Sequence, residues 1–271
     1  MDFQEMYAGA KRDFVAKVSL AETVSRGCGN IPSDTNQHYW ASVLFTRMVV
    51  TGKSVELLAP DPRPSAHWDF SAVASLVRNL AECYLYFFFL CVDDVPVVEK
   101  EARIIMLDLH DDGSRSKLFG ELDEPETDDE ALAQRAVVRA SLEACFRANE
   151  WLMALPEKRQ RELLRGDKTP FVQDDVIDRT DLDRKHFRFL YRFMSAHTHS
   201  GPVAFYRMGE HGRGMGFKNS NDTMYMAWAL EFGTRIIELA TGAMLDLFPG
   251  ADQRGRKLRL AQIRQAPKGR R

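Results

Sequence analysis

Apolar residues recur at helical spacing along most of the chain. In the segment 183–202 they form one stripe, made of Phe187, Leu190, Tyr191 and Met194, with steps of three and four residues. Such a stripe is typical of an amphipathic helix packed on a core. Similar stripes predict further helices at 2–26, 34–51, 69–92, 94–107, 128–155 and 219–247. No segment alternates polar and apolar residues over the length of a strand, so the pattern predicts an all-α bundle of about seven to nine helices.

The same pattern suggests one domain followed by a tail. No internal repeat is visible, and no linker is long enough to divide the chain, so residues 1–250 are expected to form a single helical domain. The segment 251–271 carries eight Lys or Arg against one Asp, a net charge of +7 in a chain whose net charge is −2. We predict that this tail is disordered. Its charge fits either a nucleic-acid contact or a solubilising end.

Composition narrows the class of protein. The chain has 271 residues, of which 45% are hydrophobic and 28% charged, as in an ordinary folded protein. Its four cysteines form no CxxC pair, which favours reduced thiols in a cytoplasmic protein. The charged N-terminus does not resemble a signal peptide. The most apolar run, 83–92, is shorter than a bilayer is thick, so we expect no membrane partner.

A polar stripe follows the helix predicted at 183–202. At about 100° per residue, Arg188, Arg192, Ser195 and His199 lie within a narrow wedge of one face. His197 lies roughly opposite His199 and does not belong to this group. An arginine and a histidine two turns apart at a helix end could handle a phosphate, with Arg192 and His199 as the catalytic pair. They could equally form a hydrogen-bonded polar seam between helices.

A second polar stripe lies on the apolar helix predicted at 69–92, where Ser71, Ser75, Arg78 and Glu82 follow one another at steps of four, three and four. Buried charges need partners, because an unpaired charge in a protein interior is costly. We therefore expect this stripe to face the first one. The predicted binding residues are then Arg78, Glu82, Arg188 and Ser195.

Common cofactor and metal motifs are absent from the sequence. The triplet Gly52-Lys53-Ser54 would end a phosphate-binding loop, but Arg47 stands where the first glycine of that loop belongs. The glycines at 209–216 follow a helix and do not give GxGxxG. No HExxH and no ExxH pair is present. We therefore predict no cofactor and no metal.

The residues around the first polar stripe resemble a known family. The run Tyr191-Arg192-Phe193-Met194-Ser195, continued by Thr198-His199-Ser200 and Pro202, is similar to an uncharacterised bacterial family of helical proteins. That family also shows the Arg-x-x-x-Glu pattern formed here by Arg78 and Glu82. The resemblance extends weakly from about Gln37 to Leu247 and implies the fold.

A more distant similarity concerns the HEPN-type helical proteins. Arg192 and His199 fit their Arg-x(4–6)-His signature, and His197 satisfies the spacing too. The residue after the arginine is usually polar in HEPN nucleases and is Phe193 here. The resemblance implies a HEPN-like core and a metal-independent endoribonuclease of a toxin or phage-defence type. It also implies RNA as a partner and a site often completed in a homodimer.

Two functions thus remain open on the sequence. In the first, His199 moves protons between a 2′-hydroxyl and the leaving oxygen, and Arg192 stabilises the phosphorane. In the second, the chain is a non-catalytic helical binding module, and the two stripes are a structural Arg–Glu–Ser–His polar core. Exposure separates them: an open surface around His199 favours chemistry, and a sealed network favours a structural role.

Overall fold

The computed structural model describes residues 2–29, 31–61, 67–120, 129–199, 201–206, 208–209 and 212–265. Within these ranges the protein is helical and contains no strand, which confirms the all-α prediction. The helices are α1 Phe3–Cys28, α2 Asn36–Leu58, α3 Phe70–Phe87, α4 Val97–Gly120, α5 Asp129–Ala148, α6 Glu150–Met153, α7 Glu157–Arg165, α8 Gln173–Ile177, α9 Arg184–Thr198, α10 Pro202–Tyr206, α11 Ser220–Leu247 and α12 Ala251–Gln265.

The described residues thus form twelve α-helices, more than the seven to nine predicted. The excess comes from short helices that carry no periodic signal of their own. One of them divides the helix predicted at 128–155, because the Asn149 side chain accepts a hydrogen bond from the Leu152 backbone nitrogen at 3.0 Å and starts α6. A π-helical turn, Phe88–Val92, continues α3.

The chain divides into two compact units where the sequence suggested one domain. Unit 1 comprises Met1–Val92 with Thr180–Arg271, and unit 2 comprises Asp93–Arg179. Unit 2 has its own core of buried side chains, formed by Ala102, Met106, Leu109, Phe146, Leu152, Leu163, Val176 and Ile177. The division left no trace as a linker, because the chain passes between the units within a few residues of regular helix.

Helix α3 is the centre of unit 1. It packs against α2, α9 and α11, and Val73, Val77, Leu80 and Phe87 are fully buried. The stretch Phe70–Val92 has a mean hydropathy of 1.3 and is long enough to cross a membrane, a property that core helices share. Its burial inside unit 1 accounts for its apolar character.

A buried arginine organises unit 2. The side chain of Arg103 is almost fully buried and lies 2.7 Å from a carboxylate oxygen of Asp93 and 2.5 Å from one of Glu99. Arg179 also lies 2.9 Å from Asp93. Asp93 and Arg179 are the first and last residues of unit 2, so the network ties together the two ends of this inserted segment. The sequence had suggested only a helix-capping role for Asp93.

The segment 251–265 corrects the prediction of a disordered tail. It forms helix α12, which packs on α1; residues 266–271 lie outside the described part of the chain. Helix α12 tolerates its positive charge in part through Asp252, which lies 3.5 Å from Arg256 one turn later. The Arg254 Nε also donates to the carbonyl of Gly27 at the end of α1, at 3.0 Å.

Two glycines allow α1 and α12 to touch backbone to backbone. A Cβ atom at Gly27 would lie 1.7 Å from the Ala251 carbonyl oxygen, and one at Gly255 would lie 1.8 Å from that of Thr23. No side chain fits at either position. Gly255, which suggested an interrupted helix, is therefore the residue that permits this close contact.

We expect Gly255→Ala to lower the stability of the protein by about 1–3 kcal/mol, because the added methyl group must push α12 away from α1. Thermal unfolding measures this change. Gly242→Ala is the matched control: Gly242 also lies in a helix, and its Cβ would meet no atom within 4 Å. This variant should keep or raise the melting temperature, since alanine is a better helix former by up to about 1 kcal/mol.

Candidate functional site

Helix α9 begins and ends at clear signals in the sequence. The Asp183 side chain accepts a hydrogen bond from the His186 backbone nitrogen at 2.7 Å, which caps the first turn. Phe187, Leu190 and Met194 are buried, as their spacing predicts. The regular helix ends at Thr198, and His199 is its C-terminal cap. The following residues, from Pro202, start α10.

The polar wedge of α9 faces outward, which the sequence did not predict. Arg192 and His199 are exposed, and Arg188 and Ser195 are half-buried. At about 100° per residue, Arg192 lies roughly opposite the buried Leu190, so the side that carries the cations points away from the core. No hydrogen bond or ion pair within the described residues joins Arg192, Ser195 or His199 to Arg78 or Glu82. The expected Arg–Glu–Ser–His core is therefore not formed.

Arg78 and Glu82 instead meet α9 through a tyrosine. Arg78 Nη2 lies 2.8 Å from Glu82 Oε1 and donates to the Tyr191 hydroxyl at 3.0 Å, and that hydroxyl donates to Glu82 Oε1 at 2.5 Å. The guanidinium also lies 5.1 Å from the centre of the Tyr191 ring. Burial, together with the hydrogen bond to Glu82, raises the pKa of Tyr191. The sequence analysis had placed Tyr191 in the apolar stripe and so missed its hydroxyl.

His197 is buried, whereas its neighbour His199 is exposed. Its Nδ1 lies 2.9 Å from the Phe193 carbonyl oxygen, and its ring makes edge contacts with Phe70 and Phe193 at 4.8 and 4.7 Å between centroids. No described residue bonds to its Nε2, which is buried as well. The sequence correctly separated His197 from the polar wedge but did not predict its burial.

A buried ion pair lies near His197. Arg213 Nε donates to Asp222 Oδ1 at 2.7 Å, and its guanidinium lies 4.8 Å from the centre of the Tyr225 ring. Asn219 Nδ2 donates to the other oxygen of Asp222 at 2.5 Å. The sequence analysis considered the glycine-rich stretch before α11 as an anion-binding loop. Arg213 instead anchors this loop to α11, and Gly212, Gly214 and Gly216 supply left-handed turns with φ of 73°, 74° and 72°.

The surroundings of His197 keep its ring neutral. Burial lowers its pKa; the hydrogen bond with the Phe193 carbonyl opposes this shift, Arg213 lowers the pKa further, and Asp222 raises it. A neutral ring enclosed by aromatic side chains packs like an apolar group. Of the two histidines that fit the spacing signature, only His199 is presented to a ligand from solution.

The described part of the chain offers no cluster of three or more His, Cys, Asp or Glu side chains that could hold a metal ion. The candidate site is thus a helix surface with a cation and an imidazole, supported from below by the Arg78–Glu82–Tyr191 cluster.

This fold and site define an all-helical protein with an exposed Arg–His pair. The model of a family of unknown function, DUF5677, matches residues 38–215, more than half of the chain, and the protein belongs to that family. The match covers α2 to the glycine-rich loop and so includes Arg78, Glu82, Arg192 and His199. It confirms the resemblance to an uncharacterised family. No curated protein and no solved structure matches the chain.

We expect His197→Ala to destabilise the protein more than Glu82→Ala, the reverse of what the polar stripes suggested. Removing a fully packed ring leaves a cavity and costs about 2–4 kcal/mol. Glu82 is only part-buried, with 36% of its side chain exposed, so its loss should cost about 1 kcal/mol or less. Chemical denaturation of both variants measures the difference, and equal midpoints would contradict the burial of His197.

We also expect stability to fall with pH below the ordinary histidine pKa of 6.5. The folded pKa of His197 is lowered, so between 6.5 and that value the unfolded chain binds a proton that the folded protein refuses. The contribution is complete above 6.5 and is lost as the pH falls. Melting temperatures from pH 8 to 5 test this, and His197→Gln should flatten the slope. An unchanged slope in that variant would assign the effect to other groups.

Proposed function

We propose that this protein is a metal-independent endoribonuclease of the HEPN type, with the outward face of α9 as its RNA-binding surface. The observation that carries the proposal is that Arg192 and His199 are exposed together on one side of this helix. Sealing of both side chains in a polar core would have favoured a structural role. That role belongs to Arg78, Glu82 and Tyr191 instead.

The charge of α9 supports a phosphate-binding role. Its sequence contains no Asp or Glu, and Arg184, Lys185, Arg188 and Arg192 lie on the side away from the core. Uncompensated cations on one helix face attract a nucleic-acid backbone. Phe189 lies beside them with 54% of its surface exposed and offers a ring on which a base can stack.

The chemistry follows from the two side chains. His199 takes the proton of a ribose 2′-hydroxyl, whose oxygen attacks the adjacent phosphorus while the bond from phosphorus to the 5′-oxygen breaks. The protonated imidazole then gives its proton to the leaving 5′-oxygen. The products are a 2′,3′-cyclic phosphate and a free 5′-hydroxyl. Arg192 stabilises the additional negative charge on the phosphorane.

A homodimer would complete this site. Arg192 and His199 are seven residues apart, which places them about 20° apart around the helix and about 10.5 Å apart along it. Two copies of α9 packed antiparallel about a twofold axis near Ser195 would set Arg192 of one copy against His199 of the other. Each phosphodiester would then meet both groups, and the assembly would hold two such sites.

The cysteines support a cytoplasmic location, which we propose for this protein. All four are free thiols, and Cys28, Cys83 and Cys91 are buried. Burial raises the pKa of Cys91 to about 12 and those of Cys28 and Cys83 to about 11. Thiols of this kind are packing groups with little reactive thiolate, as expected in a reducing compartment.

A second candidate function is RNA binding without cleavage. The exposed Phe189 favours it, because Phe189 and Phe193 stack at 6.2 Å between centroids and continue into Tyr225 and Trp228 of α11. An aromatic surface beside cations binds unpaired bases whether or not a histidine acts on them. This module would use α9 as a binding face and would need no polar core.

We expect purified protein to cleave mixed RNAs in EDTA and to leave 2′,3′-cyclic phosphate ends. His199→Ala should reduce the rate by about 100-fold or more, because general acid–base catalysis contributes this much. His186→Ala is the matched control: His186 is also exposed on α9 but lies at its other end, so this variant should cleave like the wild type. Electrophoresis of labelled RNA measures the rates.

The same experiment separates the two functions. RNA binding that His199→Ala preserves, with no cleavage by the wild type, would favour the binding module. Neither binding nor cleavage would contradict both. Arg192→Gln should weaken binding most at low salt, because a phosphate contact releases counterions.

A further inference from the structure

Unit 2 contains a cleft that the proposed function does not use. Its cavity has a volume of about 620 Å³ and lies between α4, α5 and the end of α7. Four cationic side chains and two carboxylates line it, namely Lys117, Arg135, Arg139, Arg165, Asp112 and Asp167. The lining therefore carries an excess of two positive charges.

The first half of the cleft is one aspartate holding two arginines. Asp112 of α4 lies 2.7 Å from Arg139 Nη1 and 3.4 Å from Arg135 Nε, both from α5. Arg139 also donates to the Leu164 carbonyl near the end of α7, and Arg135 to the Ser116 hydroxyl. These bonds fix both guanidiniums at the rim of the cleft.

The second half repeats the arrangement. Asp167 lies 2.8 Å from Lys117 Nζ and 2.8 Å from Arg165 Nε. These two cations lower the pKa of Asp167, so it is ionised at neutral pH. The two η nitrogens of Arg165 and the remaining protons of Lys117 have no partner among the described residues. They are donors held beside the cavity by one carboxylate.

A close backbone contact brings the two halves together. A Cβ atom at Gly113 of α4 would lie 2.9 Å from the Gly166 Cα, and one at Gly166 would lie 2.4 Å from the Leu109 carbonyl oxygen. Gly166 also has a φ of 70°, a conformation that other residues rarely adopt. Any side chain here would separate α4 from the end of α7 and widen the cleft.

We propose that this cleft binds a small ligand with two linked anionic groups, of the diphosphate class. Each half holds two cations on one carboxylate and so keeps one positive charge and free N–H donors for one anionic group. A diphosphate matches both halves at once, whereas a single phosphate satisfies only one. The site lies wholly in unit 2 and does not depend on the proposed ribonuclease activity.

Calorimetric titration of the full chain with inorganic pyrophosphate, in EDTA and at low salt, tests this assignment. We expect saturable one-site binding, with orthophosphate at least about tenfold weaker. Lys117→Gln and Arg165→Gln each remove one cation from a side chain that is 62% or 61% exposed, so the fold should survive. Each should weaken pyrophosphate binding about tenfold or more, as for a lost charge-assisted hydrogen bond.

Arg147→Gln is the matched control. Arg147 lies on α5, pairs with Glu143 at 3.0 Å and is 61% exposed, but it does not line the cleft. This variant should bind pyrophosphate like the wild type. Equal weakening by Arg147→Gln, or no weakening by Lys117→Gln and Arg165→Gln, would overturn the site. Equal affinity for orthophosphate would overturn its two-group character.

The acidic segment 121–128, which joins α4 to α5 in the sequence and carries five carboxylates, is the competing occupant. If pyrophosphate bound only after these carboxylates were replaced by amides, the cleft would serve that segment and the proposal would be wrong. Tight binding by the unmodified chain supports an external ligand.

Discussion

The cost of burying an unpaired charge decides how α9 is oriented, and the candidate site follows from that orientation. Phe187, Leu190 and Met194 enter the core of unit 1, so the cationic side of the helix must face solvent. Arg192 and His199 are therefore presented together. His197, two positions before His199, enters the core as a neutral ring. A rotation of α9 by half a turn would exchange the two histidines and strand the arginines among apolar residues.

The same constraint explains the arginines that are buried. Arg103 contacts Asp93 and Glu99, and Arg213 contacts Asp222, so each carries its compensating carboxylate into the interior. Both pairs are also topologically useful. The first joins the two ends of unit 2, and the second anchors the glycine-rich loop to α11. Removing one partner of such a pair leaves the other buried without compensation, so these residues act on the fold rather than on a ligand.

Backbone contact between helices is the second organising feature. At the α1–α12 crossing and at the floor of the unit 2 cleft, glycines allow separations at which no Cβ would fit. In the first case this contact holds a highly basic helix onto an otherwise acidic chain. In the second it brings together two aspartate-centred groups of cations. Neither crossing depends on a hydrophobic stripe, which is why neither left a periodic signal.

The sequence alone determined the helical class, the bounds of α9 and the separation of His197 from the wedge of Arg192 and His199. These properties are local, since they depend on spacing along one helix and on capping residues such as Asp183. The tertiary structure decided what faces what. Tyr191 took the place expected for Arg192, Ser195 and His199 beside Arg78 and Glu82, because the phenol ring can be buried while its hydroxyl satisfies both charges. The division into two units, the docking of α12 and the cleft lined by Lys117 and Arg139 join residues distant in the chain, and helical periodicity carries no information about such pairs.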